Sequence, residues 1–306
     1  MNTVYHIPAL LNDTITGLCI REDGIYVDVT FGGGGHSLEI LKYLTTGKLF
    51  AFDQDEDAAR NVPDDKRLCF IQHNFRYLRN FLRYYGVEKV DGILADLGVS
   101  SHHFDDAERG FSFRHSGKLD MRMNRNAAKT AADILNEYDE ENLVRIFKEY
   151  GEIENARRLA KTIIQARGES PVTTTERLIK VVKHLVPPKN EKKYLAKLFQ
   201  SARLEINDEI GALKELLEQG MELLKPEGRF VIITYHSLED RMVKNFFKSG
   251  NVEGKVEKDF YGNVCSGMNV INRKVIIPTD EEIERNPRIR SAKLRIAKKI
   301  YGADKK

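Results

Sequence analysis

Four short stretches of this 306-residue chain combine residue types and spacings that could do chemistry. The first is DVTFGGGGHS at 28–37, in which an acid closes an apolar run and four glycines lead to His36 at a plausible helix start. Glycine has no Cβ, so such a loop lets a ligand approach the backbone closely. The second is Asp53 in LFAFDQD, 21 residues beyond Gly32. An acid at about that distance takes the hydroxyls of a ribose in nucleotide-binding sheets. The third is DLGVSSHH at 96–103, which puts Asp96, Ser100 and Ser101 at the end of another apolar run. The fourth is YHSLEDR at 235–241, with His236, Ser237, Glu239 and Arg241.

The glycine run discriminates among ligands. A phosphate-cradling loop needs G-K-[ST] at its close, and here Gly35 is followed by His36. A dinucleotide fingerprint begun at Gly32 needs a third glycine or alanine where Ser37 stands. S-adenosylmethionine has no phosphate. It carries a carboxylate, an ammonium and a sulfonium, and so calls for close backbone approach plus acceptors such as Asp28. Asp53 by itself suits either a dinucleotide or S-adenosylmethionine.

The elements that must hold these residues read as alternating strands and helices. Tyr26–Thr30, Leu49–Asp53, Leu68–Gln72 and Val90–Asp96 are short apolar runs rich in β-branched and aromatic residues, the mark of buried strands. SLEILKYL and FRYLRNFLRYYG between them carry apolar residues at helical spacing. This βαβα order predicts a parallel sheet with helices on both faces. From about 126 to 222 nearly every segment reads helical, with stops at Gly151, Gly168–Pro171 and Pro187–Pro188. A strand pattern returns at Arg229–Thr234 after the turn KPEG, and KLRIAKKI at 293–300 reads as the last strand. The expectation is one discontinuous α/β domain, residues 1–110 and 223–306, interrupted by an all-helical insertion at 111–222.

Composition narrows the class. The 41% apolar and 31% charged fractions are those of a soluble globular protein, and no run is long enough to span a bilayer. The N-terminus lacks the pattern of an export signal, so the cytoplasm is expected. Cys19, Cys69 and Cys265 are odd in number and far apart; they read as core thiols rather than as disulfides or zinc ligands. The adjacent His102 and His103 lack further ligands, and no metal site is expected. The net charge of +3 is unevenly spread: residues 143–203 hold 14 Lys/Arg against 6 Asp/Glu, and residues 273–306 hold 11 against 5. Such clustering suits a polyanionic partner, with solvated helix faces as the alternative.

DLGVSS, at the strand end where methyltransferases keep a substrate-facing loop, tips the balance. The chain resembles the bacterial small-subunit ribosomal RNA cytosine-N4 methyltransferases of the MraW type. Ten ordered blocks carry the resemblance: HIPALLND, DVTFGGGGHS, AFDQD, DLGVSS, RGFSF, LDMRM, YGE, RLEIND, YHSLEDR and NPRIRSAKLR. Asp13, Ala9 and His103 depart from the family's usual residues. The resemblance implies a Rossmann-like class I S-adenosylmethionine-dependent methyltransferase sheet with a helical, RNA-recognising insertion. It implies S-adenosylmethionine bound by Gly34, Gly35, His36, Asp53, Phe75, Asp96 and His103, with Phe75 on the adenine face. Methyl transfer to the exocyclic N4 of a cytosine in the decoding region of 16S ribosomal RNA follows, on RNA within the small subunit, with a homodimer left open. Asp96, Ser100 and His236 are the candidate catalytic groups, with Asp96, Ser100 or a carbonyl of LGVSS as the N4 acceptor. Arg109, Arg122, Arg203, Arg241 and Lys293 are the candidate RNA contacts. The competing readings are an NAD-dependent oxidoreductase and a noncatalytic RNA-binding assembly factor.

Overall fold

The computed structural model describes residues 8–99, 104, 106–262 and 264–300. Seven strands form one sheet: β1 Ile25–Asp28, β2 Lys48–Asp53, β3 Leu68–Gln72, β4 Val90–Asp96, β5 Leu224–Thr234, β6 Met268–Val270 and β7 Lys293–Lys299. Their order is β3-β2-β1-β4-β5-β7-β6. The first five run parallel, while β7 pairs antiparallel with both β5 and β6. This is the Rossmann-like sheet that the resemblance implies, with an antiparallel β7 inserted between β5 and β6. From β1 the chain winds outward to β3, then returns to place β4 on the other side of β1. The connections leaving β1 and β4 therefore diverge, and the crevice between their carboxyl ends is where such sheets bind ligands.

Both faces of the sheet are covered, which explains the unbroken apolar strands. Val27, Phe50, Phe52, Ile93, Phe230 and Ile232 pack with Leu78 and Leu82 of α3 (Leu78–Tyr84), Leu213, Leu216 and Leu217 of a later helix at 209–223, and Val243, Phe246 and Phe247. The alternate residues Tyr26, Leu49, Leu94, Val231 and Ile233 face the other way. They meet Ile15 and Leu18 of α1 (Leu11–Leu18), and Ile40 and Leu41 of α2 (Gly35–Tyr43).

The chain divides into two compact units, residues 1–98 with 210–306 and residues 99–209. The second unit is helical: α4 Ala131–Glu137, α5 Glu140–Glu149, α6 Ala156–Glu169, α7 Thr175–Val182 and α8 Glu191–Ile206. It has its own core, in which Leu143, Ile146, Phe147, Leu159, Ile163, Leu178 and Leu198 are buried. The expected boundaries at 110 and 222 move to 98 and 209. Phe111 and Leu119 belong to the helical unit's core, and α9 (Glu209–Leu223) lays its leucine face on the sheet. Periodicity shows that α9 has an apolar face but not which neighbour covers it.

Two other expectations are corrected. KPEG lies inside β5, where Glu227 takes φ 67° and the pairing slips between Val90–Leu224 and Gly92–Arg229. Cys19 and Cys265 are exposed, because Cys19 caps α1 at a left-handed turn and Cys265 lies in the chain before β6. Only Cys69, on β3, is partly covered.

Candidate active site

The glycine run works as a hinge between β1 and α2. Gly34 caps α2 at φ 78°, a left-handed conformation that a side chain disfavours, and a Cβ there would meet the Phe31 ring at 2.9 Å. At Gly35 a Cβ would collide with the Pro8 ring. The two glycines thus let the chain turn against its own N-terminal segment. Gly32 is different: beyond its two chain neighbours, no atom of the described residues lies within 4 Å of the place a Cβ would take, so the loop backbone fronts open space.

Asp28, at the end of β1, is almost fully buried and fastens this turn. It accepts from Ser37 Oγ at 2.7 Å and from Thr30 N at 3.0 Å. Thr30 Oγ1 in turn accepts from Asp96 N at 2.7 Å, which ties the end of β1 to the end of β4. His36, also buried, has Nε2 3.0 Å from Ala9 O and Nδ1 3.8 Å from Asp96 Oδ2.

Three carboxylates therefore stand at the carboxyl ends of β1, β2 and β4. Asp53 accepts from Gly32 N at 2.7 Å through Oδ2 and from Asp55 N at 2.9 Å through Oδ1. Each oxygen keeps a further lone pair for a hydroxyl donor. Burial pushes the carboxyls of Asp53 and Asp96 up to about 6, against the backbone donors at Asp53 and against His36 and Tyr235 at Asp96. Burial raises Asp28 in the same direction, opposed by His36 and Ser37. Half-sunk acids with spare acceptor capacity suit a ligand that brings hydroxyls and positive charge.

Against known proteins, residues 3–300 match the MraW methylase family. The chain belongs to that family. It is 60% identical to a ribosomal RNA small subunit methyltransferase H of Phocaeicola vulgatus, over 97% of this chain and 98% of the relative. A protein of that name from Parabacteroides distasonis is 58% identical over 98% and 99%. Among solved structures the chain is similar to an rRNA methylase from Streptococcus thermophilus, at 12% identity and a TM-score of 0.41, over 97% of this chain and 99% of that one. Family membership removes the oxidoreductase reading.

The expected site residues fall into separate groups in this family member. Gly34, Gly35, His36, Asp53 and Asp96 gather at one sheet edge. Phe75 follows β3 in a short 3-10 turn and is half-buried against the sheet core. Ser100 and His103 lie outside the described residues. His236 caps α10 (Ser237–Ser249): Nδ1 accepts from Glu239 N at 3.4 Å, and Nε2 lies 3.0 Å from Glu239 Oε1 but out of line for a hydrogen bond. The structure gives it a capping role.

The basic residues also separate. Arg109 is buried, and its guanidinium donates to the carbonyls of Arg122 and Met123 at 2.9 and 3.2 Å. Burial withdraws it from any RNA-facing surface, contrary to expectation. Arg122 is forked onto Asp120 and bonds the carbonyls of Arg125 and Ala127, while Arg203 forks onto Glu209 at 2.9 and 3.1 Å. These two brace the helical unit, as arginines with planar forks do. Lys293 sits 3.4 Å from Asp240, and Arg241 is exposed.

Tyr235 is the residue that motif spacing missed. Its hydroxyl donates to Asp96 Oδ1 at 2.9 Å, and its N–H donates to Glu239 Oε2 at 2.9 Å. The signal was the pairing of β4 with β5. Once Asp96 registers with Ile233, the residues just past β5 stand beside the site.

Proposed function

We propose that this enzyme transfers the methyl group of S-adenosylmethionine to the exocyclic N4 of a cytosine in the decoding region of 16S ribosomal RNA, within the small subunit. S-adenosylmethionine-dependent methylation of ribosomal RNA is the family's activity; the cytosine, its N4 and the assembled particle are our reading. The observation that carries it is the set of three carboxylates, buried Asp28 and partly exposed Asp53 and Asp96, around a glycine loop whose Gly32 fronts open space. That donor set fits the cofactor. In this reading Asp53 takes the ribose hydroxyls, the backbone at Gly32–Gly34 admits the amino-acid end, Phe75 covers the adenine, and Asp28 holds the loop in shape through Ser37 and Thr30.

When bound, the cofactor supplies an electrophilic methyl on a sulfonium. The protein's own work is positional. A cytosine N4 lone pair is delocalised into the ring, so the amine must be extruded, aligned and stripped of water before it attacks. Holding the reacting atoms at about 3–3.5 Å in line supplies much of the rate. Asp96 lies at the end of β4, where a carboxylate can accept an N4 proton in a hydrogen bond and orient the lone pair. The proton can leave after attack, so no strong base is needed. Exposed cations of the helical unit, among them Arg157, Arg158, Lys161, Lys192 and Lys193, suit the RNA backbone.

Nucleoside mass spectrometry of 16S RNA from cells with and without the gene tests the reading. Loss of N4-methylated cytidine in the deletion, restored by the wild-type gene, supports it. An unchanged N4-methylcytidine content with loss of a different methylated nucleoside overturns it.

A further inference from the structure

We propose that Tyr235 is the positioning residue of this site: its hydroxyl fixes the Asp96 carboxylate for the incoming amine, and through Tyr235, rather than His236, the YHSLEDR segment serves the reaction. This rests on the reading of Asp96 as the N4-facing acceptor.

The geometry is that of a clamp. Asp96 is anchored at its backbone by donation to Thr30 Oγ1, and at one carboxylate oxygen by the Tyr235 hydroxyl at 2.9 Å. The other oxygen, Oδ2, accepts no hydrogen bond among the described residues, and His36 Nδ1 stands 3.8 Å away. One oxygen is thus held while the other can take an N–H. Tyr235 is itself fixed at two further points. Its N–H donates to Glu239 Oε2. Its ring lies where a Cβ on Gly98 would come within 3.4 Å, at a position whose φ of 100° excludes most side chains.

The hydroxyl also bears on charge. The groups facing Asp96 are His36 of α2, Asp28 at the end of β1, Glu239 of α10 and Tyr235 itself. Two of these are acids that oppose ionisation of Asp96, as burial does. A neutral donor to the carboxylate works against both without adding charge near a sulfonium. A tyrosine buried beside Asp96 and Glu239 is held well above its ordinary range, so it stays a donor throughout the working pH. Phenylalanine at 235 keeps the ring and removes only the donor.

The test is Tyr235→Phe beside Asp96→Asn, with kcat followed from about pH 5.5 to about pH 9 on small subunits lacking the modification. Binding of S-adenosylhomocysteine and Tm are measured in parallel. Tyr235→Phe is expected to keep Tm and cofactor affinity within twofold. Its kcat should fall about threefold near pH 6.5 and about eightfold at pH 5.5, with the deficit narrowing toward pH 9 because the acid limb has moved up by about one unit. A kcat profile superimposable on wild type, or a deficit constant with pH, overturns the assignment. If Asp96→Asn retains full kcat, the reading of Asp96 fails and takes this one with it. If Asp96→Asn is inactive while Tyr235→Phe follows the wild-type profile, only the role of Tyr235 falls.

Discussion

Removing the Asp53 carboxylate should uncouple cofactor affinity from pH. Asp53 takes one backbone N–H on each oxygen, and burial lifts it to about 6. The proposed ribose hydroxyls donate only to the ionised form, so ligand binding pulls the group back toward ionisation. At pH 5 about a tenth of the free protein would carry that charge, which weakens S-adenosylhomocysteine binding roughly tenfold relative to pH 8. Asp53→Ala at pH 8 loses two charge-assisted hydrogen bonds, about 1–3 kcal/mol net, or roughly 5- to 150-fold in Kd. The variant's affinity should then vary less with pH, with Asp96 supplying what slope is left. The fold should tolerate the change. A lift of about two units marks roughly 3 kcal/mol of uncompensated charge at neutral pH, and its removal offsets the two backbone bonds lost. Isothermal titration of wild type and Asp53→Ala at both pH values, with Tm as a control, measures this. A wild-type Kd that is equal at pH 5 and pH 8, or an Asp53→Ala Kd within twofold of wild type at pH 8, would refute the ribose role.

The same acids bear on stability. An acid whose folded pKa lies above its unfolded value binds protons more tightly when folded, so ligand-free protein should gain Tm as pH falls from about 6 toward about 4, the window set by Asp53 and Asp96, until other groups titrate; a Tm that drops monotonically from pH 7 to pH 5 contradicts this. Gly35→Ala drives a methyl into Pro8 and should cost about 1–3 kcal/mol of stability along with cofactor affinity, both read by a thermal-shift titration. Arg109→Met strands two carbonyls and should lower stability by about 2–4 kcal/mol in urea unfolding, while RNA affinity of the folded fraction stays put. Charge reversal at Lys192 and Lys193 should leave Tm unchanged, weaken RNA binding and shrink its salt slope by about 2–4 units; an unaltered slope would make this patch mere solvated surface.

The sheet was legible because its strands are buried on both faces and are bounded by turn residues. β3 and β4 occur where the apolar runs predict them, and β1, β2 and β7 within two residues. The gathering of the acids that we assign to the cofactor was legible for a related reason: Asp28, Asp53 and Asp96 each terminate an apolar run, and parallel strands deliver their carboxyl ends to one side. Side-chain partnerships were not legible. Arg109, Arg122 and Arg203 look like RNA contacts by charge, yet the fold spends them on carbonyls and on nearby Asp120 and Glu209, which composition cannot foresee. His236 resembles a catalytic group until the start of α10 turns it into a cap, and Tyr235, aromatic and next to a strand, reads as core until β4 and β5 are set side by side.

The interruption of the sheet after β4 has a consequence for the nascent chain. When β4 leaves the ribosome its outer edge has no neighbour, and Leu224, where β5 begins, is made roughly 130 residues later. At 5–20 residues per second that is a wait of roughly 6 to 26 seconds, during which the unpaired edge of a mostly apolar strand stands open to wrong pairing. The helical unit has a core of its own and can condense in that interval. Synthesis itself thus sets the order of assembly: half a sheet, then an independent helical body, and last the three strands that close the fold.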